Sequence, residues 1–364
     1  MRNKNRIIKY SLLLCVMLFG LVWSLALARQ QETDTRYPNG EILVTADWLA
    51  RHADEERLVI VDVRNDGIFD GRLIPAAIRL PWSEMRYNNT AVNEGSLFVG
   101  AARAQEILGE HGIGRTDTVV IYDSVAEDGG ATASYIFLIL DYLGHDHKMI
   151  LEGGIDAWIS AGYQLDSRPR DLSPILYQAP IDDIRNRSMI SGTDIYKRLD
   201  DPHYQIVDVR SEEEYLGKKG TRDLKGNGLK LGHIPTAINI GYGNIWIDKE
   251  KKLFKPYAEL QELYRGLDPG KTIIVYCNSG RRSSFVYFTL RLMGFKNVRS
   301  YEASWKQWGK PANFYPVETS ATTLVSSARP KVKKTPDETK PMKVESSSEA
   351  QKQKPAGGYV SCGG

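Results

Sequence analysis

Hydrophobic positions along the chain gather into short unbroken runs separated by longer amphipathic stretches. Leu58-Val59-Ile60-Val61, Thr118-Val119-Val120-Ile121-Tyr122 and Ile273-Ile274-Val275-Tyr276 are rich in β-branched residues, and Val207-Asp208-Val209-Arg210 repeats the end of the first. Such runs, bounded by turn residues, predict strands buried on both faces. Between them Thr45-Ala46-Asp47-Trp48-Leu49 predicts a capped helix start, and helical spacing covers about 101–111, 131–143 and Phe285 to Met293, where Gly294 stops it. Strands alternating with helices predict the α/β class, a mainly parallel sheet with helices on both faces.

The pattern occurs twice. Val61-Asp62-Val63-Arg64 returns as Val207-Asp208-Val209-Arg210, 146 positions on. The Ile74-Pro75-Ala76-Ala77-Ile78 segment returns within Gly232-His233-Ile234-Pro235-Thr236-Ala237-Ile238. Tyr122-Asp123 returns as Tyr276-Cys277 after 154 positions, and Trp158 as Trp308 after 150. Near-constant offsets predict a duplicated domain, 41–165 and 189–312. The linker, 166–188, is broken by Pro169, Pro174 and Pro180. From Val317 the chain fills with Lys, Ser, Glu and Pro, which predicts a disordered tail, 317–364.

The chain begins differently. Arg2, Lys4, Arg6 and Lys9 precede an apolar stretch from Ser11 to Ala28 that closes on Ala26-Leu27-Ala28, so residues 1–28 predict an export signal and a periplasmic or extracellular protein. The alternative is an uncleaved membrane anchor over 11–28. Leu14-Cys15 is a poor lipidation site. Cleavage after Ala28 would take four positive charges with it and turn the net charge from +3 to −1, so nothing points to nucleic acid. It would also leave only Cys277 and Cys362, too few for a disulfide framework.

Candidate chemistry concentrates in Thr272 to Ser284, TIIVYCNSGRRSS. A thiol stands at a strand end, a short loop follows, and a helix begins beyond it. Loop and helix-start N–H groups would converge on Cys277, and two arginines add positive charge, which favours both a thiolate and a bound anion. A core cysteine needs no Gly-Arg-Arg behind it.

Cys277-Asn278-Ser279-Gly280-Arg281-Arg282-Ser283 resembles the Cys-x-x-Gly-x-Arg-Ser loop of rhodanese-type sulfurtransferases, and the repeated signatures extend the resemblance from about Leu43 to Pro311. It implies two rhodanese-like domains, an inactive first and an active second, without metal or organic cofactor. Cys277 would attack a small anionic donor such as thiosulfate and carry the sulfur as a persulfide to cyanide or a thiol, a protein thiol being a further candidate. Asn278 to Ser283 would bind the anion, with Arg281 and Arg282 orienting it. The first-half loop has Asp123 in place of the thiol and Glu127 and Asp128 in place of the basic residues, which excludes a persulfide there. Asp208, Arg210 and His233 are expected as scaffold, with Glu214 pairing Arg210. Trp305 and Trp308 are expected as a packing stripe.

One departure concerns the donor. Mitochondrial-type enzymes place a substrate-binding arginine where this chain has Glu214; the basic insert Lys218 to Lys230 is a candidate replacement. A dual-specificity-type phosphatase needs Cys-(x)5-Arg, and residue 283 is Ser, so sulfur fits better than phosphate. A non-enzymatic persulfide carrier or redox-sensing module is the third reading. Cys362, at the end of the tail, is a candidate acceptor of the Cys277 sulfur or its disulfide partner.

Overall fold

The computed structural model describes residues 37–127, 129–180, 188–248 and 250–320. The expected export signal with Cys15, the expected tail beyond residue 320 with Cys362, and Asp128 lie outside these residues.

The first half holds strands β1 (Leu43–Val44), β2 (Leu58–Asp62), β3 (Ala77–Arg79), β4 (Arg86–Asn89), β5 (Glu94–Phe98), β6 (Thr118–Tyr122) and β7 (Lys148–Leu151). Its helices are α1 (Ala46–His52), α2 (Ala101–Glu110), α3 (Ala131–Tyr142) and α4 (Gly154–Ser160). The main sheet runs β1-β7-β6-β2-β3, all parallel, and β4 and β5 form a separate antiparallel hairpin. In the second half α5 (Gly192–Tyr196), β8 (Tyr204–Asp208), α6 (Glu212–Tyr215), β9 (Ile238–Asn239), α7 (Tyr257–Leu263), β10 (Thr272–Tyr276), α8 (Arg281–Leu292), β11 (Val298–Ser300) and α9 (Ser304–Trp308) follow. They build a parallel sheet in the order β11-β10-β8-β9. β2 is buried at every position and β6 and β10 at four of five, as strands covered on both faces must be.

The predicted elements form, with one shift. α8 starts at Arg281, not Phe285, because Gly280 takes φ +92° and turns the chain directly into the helix. Ser283 and Ser284 therefore lie in its first turn. Thr45 caps α1 through its hydroxyl, which accepts the Trp48 N–H at 3.2 Å.

The halves are not two separate cores. α3 and α8 pack together, and each is buried along most of its length because it faces neighbours on several sides. Phe137 and Phe288 meet edge to face at 4.9 Å, inside one apolar cluster that contains Val59 and Val61 of one sheet with Val207 and Val275 of the other. Buried Asp141 on α3 adds a polar clasp: Lys148 reaches it at 2.7 Å, Arg291 at 3.3 Å, and the Tyr287 and Ser188 hydroxyls donate to it.

The described stretch 166–180 of the expected linker is tied to the first half. Leu73 and Asp166 exchange backbone hydrogen bonds, and the Arg170 and Ile175 N–H groups donate to Ala77 and Gly109. Its three prolines end regular structure without freeing the chain. The described fold likewise runs past the boundary expected at Val317: His233 and Glu318 exchange backbone hydrogen bonds of 2.8 and 3.0 Å.

Candidate active site

β10 ends at Tyr276, whose phenol donates to Asp208 at 2.7 Å and accepts the Ile234 N–H at 3.0 Å. The next residue is Cys277, 1% exposed. Its Sγ accepts the N–H groups of Ser279 at 3.4 Å and Gly280 at 3.2 Å. The turn that aims these groups requires Gly280: besides its positive φ, a Cβ there would come within 3.0 Å of the Glu302 carbonyl oxygen. Burial pushes the thiol pKa up, but the Arg282 guanidinium and the N–H groups of Ser279 and Ser283 outweigh it, so the thiol stays below its ordinary value.

The remaining residues of the loop are committed. Ser283 Oγ donates to the Gly280 carbonyl at 2.9 Å. Arg282 forms a two-pronged pair with Glu214, at 3.0 and 3.2 Å, and Asn278 Nδ2 donates to the same carboxylate at 2.7 Å. Glu214 thus bonds Arg282 directly and reaches Arg210, its expected partner, through charge alone. Glu214 closes a capping box with Ser211 at the start of α6, which turns its carboxylate toward the loop. Although burial raises the Glu214 pKa, the Arg282 hydrogen bonds and charge bring it down to about 2. Arg210 instead clamps Asp208 at 2.6 Å, donates to the Gly232 carbonyl at 2.7 Å and lies over the Trp305 ring at 4.3 Å. Arg281 sits 5.6 Å from the Trp82 ring of the first half.

His233 is fully buried, stacked on Tyr215 at 3.7 Å, with Nδ1 2.8 Å from the Tyr215 carbonyl; burial lowers its pKa, and it is scaffold. Trp305 and Trp308 pack in the second apolar cluster of this half with Tyr276 and Tyr301. The basic insert does not turn to the thiol. Its Asp223 and Lys225 bond Asn93 of the β4–β5 hairpin, and Lys230 caps the carbonyls of Asn313 and Tyr315.

Four residues of the site were not found from the sequence. Ser304 Oγ accepts the Cys277 N–H at 3.1 Å and lies 4.0 Å from Sγ, at a strained φ of +52°. The other three are Glu302 and, from the first half, Arg86 and Tyr135. The Tyr135 phenol donates to Glu302 at 2.8 Å, and Arg86 donates to the Ser279 carbonyl. Ser304 had a signal, since Gly154 stands at the matching position 150 residues earlier; Arg86 and Tyr135 had none. A cavity of about 640 Å³, lined in part by Ser211, Asn239, Tyr242, Asn244 and Arg282, opens beside the loop.

At the matching turn of the first half, buried Asp123 accepts N–H groups from Gly130 (2.9 Å), Thr132 (3.1 Å) and Ala133 (3.0 Å). That cradle is filled by the chain's own carboxylate.

A parallel α/β sheet that delivers a lowered-pKa thiol to a ring of loop N–H groups defines a cysteine-based group-transfer protein. The family model "Rhodanese-like domain" matches residues 45–161 and 191–311. SseA of Mycobacterium bovis is 34% identical over 287 residues, which cover 76% of this chain and 91% of that one. The "Thiosulfate sulfurtransferase" of Corynebacterium glutamicum is 28% identical over 79% of this chain and 93% of its own. "Sulfur carrier protein TtuD" of Thermus thermophilus is 29% identical over 75% and 95%. Among solved structures, Tum1 of Saccharomyces cerevisiae shares the fold with a TM-score of 0.64 at 20% identity, over 76% of this chain and 98% of that one. The anaerobic ergothioneine biosynthesis enzyme of Chlorobium limicola does so with 0.65 at 22%, over 78% and 71%. The chain belongs to the rhodanese family, as a tandem-domain sulfurtransferase. The phosphatase alternative finds no support in these likenesses.

Proposed function

We propose that this sulfurtransferase takes the outer sulfur of thiosulfate onto Cys277 and passes it to a thiophilic acceptor. The thiolate attacks that sulfur, the S–S bond of the donor breaks, and sulfite leaves with the bonding pair. The product is a Cys277 persulfide anion. Cyanide or a thiolate then attacks the outer sulfur, forming thiocyanate or a new persulfide and returning the Cys277 thiolate. The observation that carries this reading is the pair of N–H groups from Ser279 and Gly280 on Sγ, with Arg282 alongside. Such donors stabilise a sulfur anion before and after transfer. Arg282, held by Glu214, acts on the thiolate through its charge and also lines the cavity beside the loop. The basic and apolar lead over residues 1–28 supports a place of action outside the cytoplasm.

The test is thiocyanate release from thiosulfate and cyanide by the purified protein, with the Cys277 peptide gaining one sulfur by mass spectrometry before cyanide is added. A folded protein that forms neither persulfide nor thiocyanate overturns the proposal. Persulfide formation with transfer to a thiol but none to cyanide would favour a carrier.

A further inference from the structure

Arg86 belongs to the half that has no catalytic thiol, yet its side chain ends against the active loop. It is 7% exposed and is packed between the rings of Trp82 and Tyr135, 4.8 Å from each centroid. Its Nη2 donates to the carbonyls of Ser96 and Ser279 and lies 3.8 Å from Glu302. Its Nε is buried without a hydrogen-bond partner. Burying a guanidinium with one N–H unsatisfied is costly, so the contact it does make needs a reason.

The Ser279 carbonyl and the Gly280 N–H are the two ends of one peptide group. Arg86 holds the oxygen end, and the nitrogen end points at Cys277 Sγ from 3.2 Å. A cation on the carbonyl polarises the peptide, strengthens its N–H as a donor and fixes its orientation. The matching peptide of the first half is Gly129–Gly130. There the Trp246 indole N–H donates to the Gly129 carbonyl at 3.2 Å, while the Gly130 N–H meets Asp123 at 2.9 Å. Each half thus reaches across to the other's loop, a neutral donor serving the silent cradle and a charged one the reactive cradle.

We infer that Arg86 is a positioning residue for the sulfur-transfer site, acting through the Ser279–Gly280 peptide to hold the sulfur anion of Cys277. The two halves are then catalytically interdependent. The consequence for turnover rests on the persulfide reading; the effect on the thiolate does not. Among the described residues the charged and titratable groups around the loop include Arg86, Glu302, Tyr135, Arg281, Arg282, Glu214, Glu127, Tyr242 and Lys306, so the test changes Arg86 alone.

The experiment titrates the ultraviolet absorbance of the Cys277 thiolate against pH in the full chain carrying Cys15→Ser and Cys362→Ser, which needs no sulfur donor. Arg86→Gln and Arg86→Met, the second keeping length and packing, should raise the titration midpoint by roughly one pH unit. Turnover efficiency should fall about tenfold. Arg86→Lys should restore part of both, because charge returns without the planar fork. Trp246→Phe, which removes the matching donor of the silent loop, should leave the midpoint where it was. A folded Arg86→Gln or Arg86→Met protein with an unchanged midpoint overturns the inference. An equal shift from Trp246→Phe does so as well, since it would make the effect one of general packing.

Discussion

In the second half the N–H groups of Ser279 and Gly280 end on a sulfur; at the matching turn of the first, those of Gly130, Thr132 and Ala133 end on the Asp123 carboxylate. The Asp-x-Arg clamp and its tyrosine are the same in both. Asp62, Arg64 and Tyr122 repeat the contacts of Asp208, Arg210 and Tyr276, including the bond from tyrosine to aspartate. At this turn, what differs is the cradle's occupant and its neighbours. Arg282 stands by the thiol, whereas buried Glu127 stands by Asp123 and helps to raise it. Ser304, close to Sγ, is matched by Gly154, where a Cβ would come within 2.3 Å of the Asp123 carbonyl oxygen. An anion cradle is therefore a property of the backbone turn, and reactivity depends on whether it holds a nucleophile or an acid of its own. Residue types excluded a persulfide on the first-half loop; its geometry adds that the cradle is already occupied.

The largest effect should come from removing the nucleophile. Cys277→Ser should stop thiocyanate formation while circular dichroism and the melting temperature stay near those of the parent, because an Oγ cannot carry sulfane sulfur. Substantial turnover by that folded variant would sink the mechanism. Arg281→Ala with Arg282→Ala comes next. Losing charge-assisted contacts at about 1.5–3 kcal/mol each should lower kcat/KM at least tenfold, and unchanged kinetics would mean that the basic residues are not what separates the halves.

Stability against pH sharpens the contrast. Burial raises the Asp123 carboxyl to about 7 against the opposing N–H bonds. The native state therefore binds that proton more tightly than the unfolded chain. Its contribution is fully present below the ordinary value of 3.8 and is lost as pH rises through 7. Glu214 has the opposite sign: held at about 2, it contributes above 4.5 and is lost as pH falls through 2. Asp123→Asn should thus remove the loss of melting temperature between about pH 4 and pH 7, on the order of 5 °C, without changing turnover at neutral pH. A calorimetric pH series that is the same in both proteins would show that Asp123 is charged throughout. The smallest expected effect is none at all. Asp123→Cys in the Cys277→Ser background should not turn over thiosulfate, since Glu127 and Gly154 still stand by the new thiol; activity there would break the comparison outright.

Much of this was legible in the chain itself. Strands buried on both faces must be nearly continuous β-branched runs, and β2, β6 and β10 fall on the stretches that show them. A repeat at 146–154 residues marks duplication whatever the fold, and Cys277 between a strand and Gly280 marks the site, because a turn that presents N–H groups to sulfur needs both a strand end and a residue free to take positive φ. Other features had no linear trace. Glu214 could be placed near an arginine but not assigned to Arg282 over Arg210, because the choice depends on how the α6 capping box turns its carboxylate. The start of α8 at Arg281 was hidden because the Gly280 backbone angle, not side-chain periodicity, begins the helix. The linker's bonds to Leu73, Ala77 and Gly109 arise only once the first half has folded, and the reach of Arg86 to a carbonyl 193 residues away only when the halves dock through α3 and α8. Local pattern records which faces are buried; which polar groups then meet across the interface is decided by the three-dimensional docking of those faces.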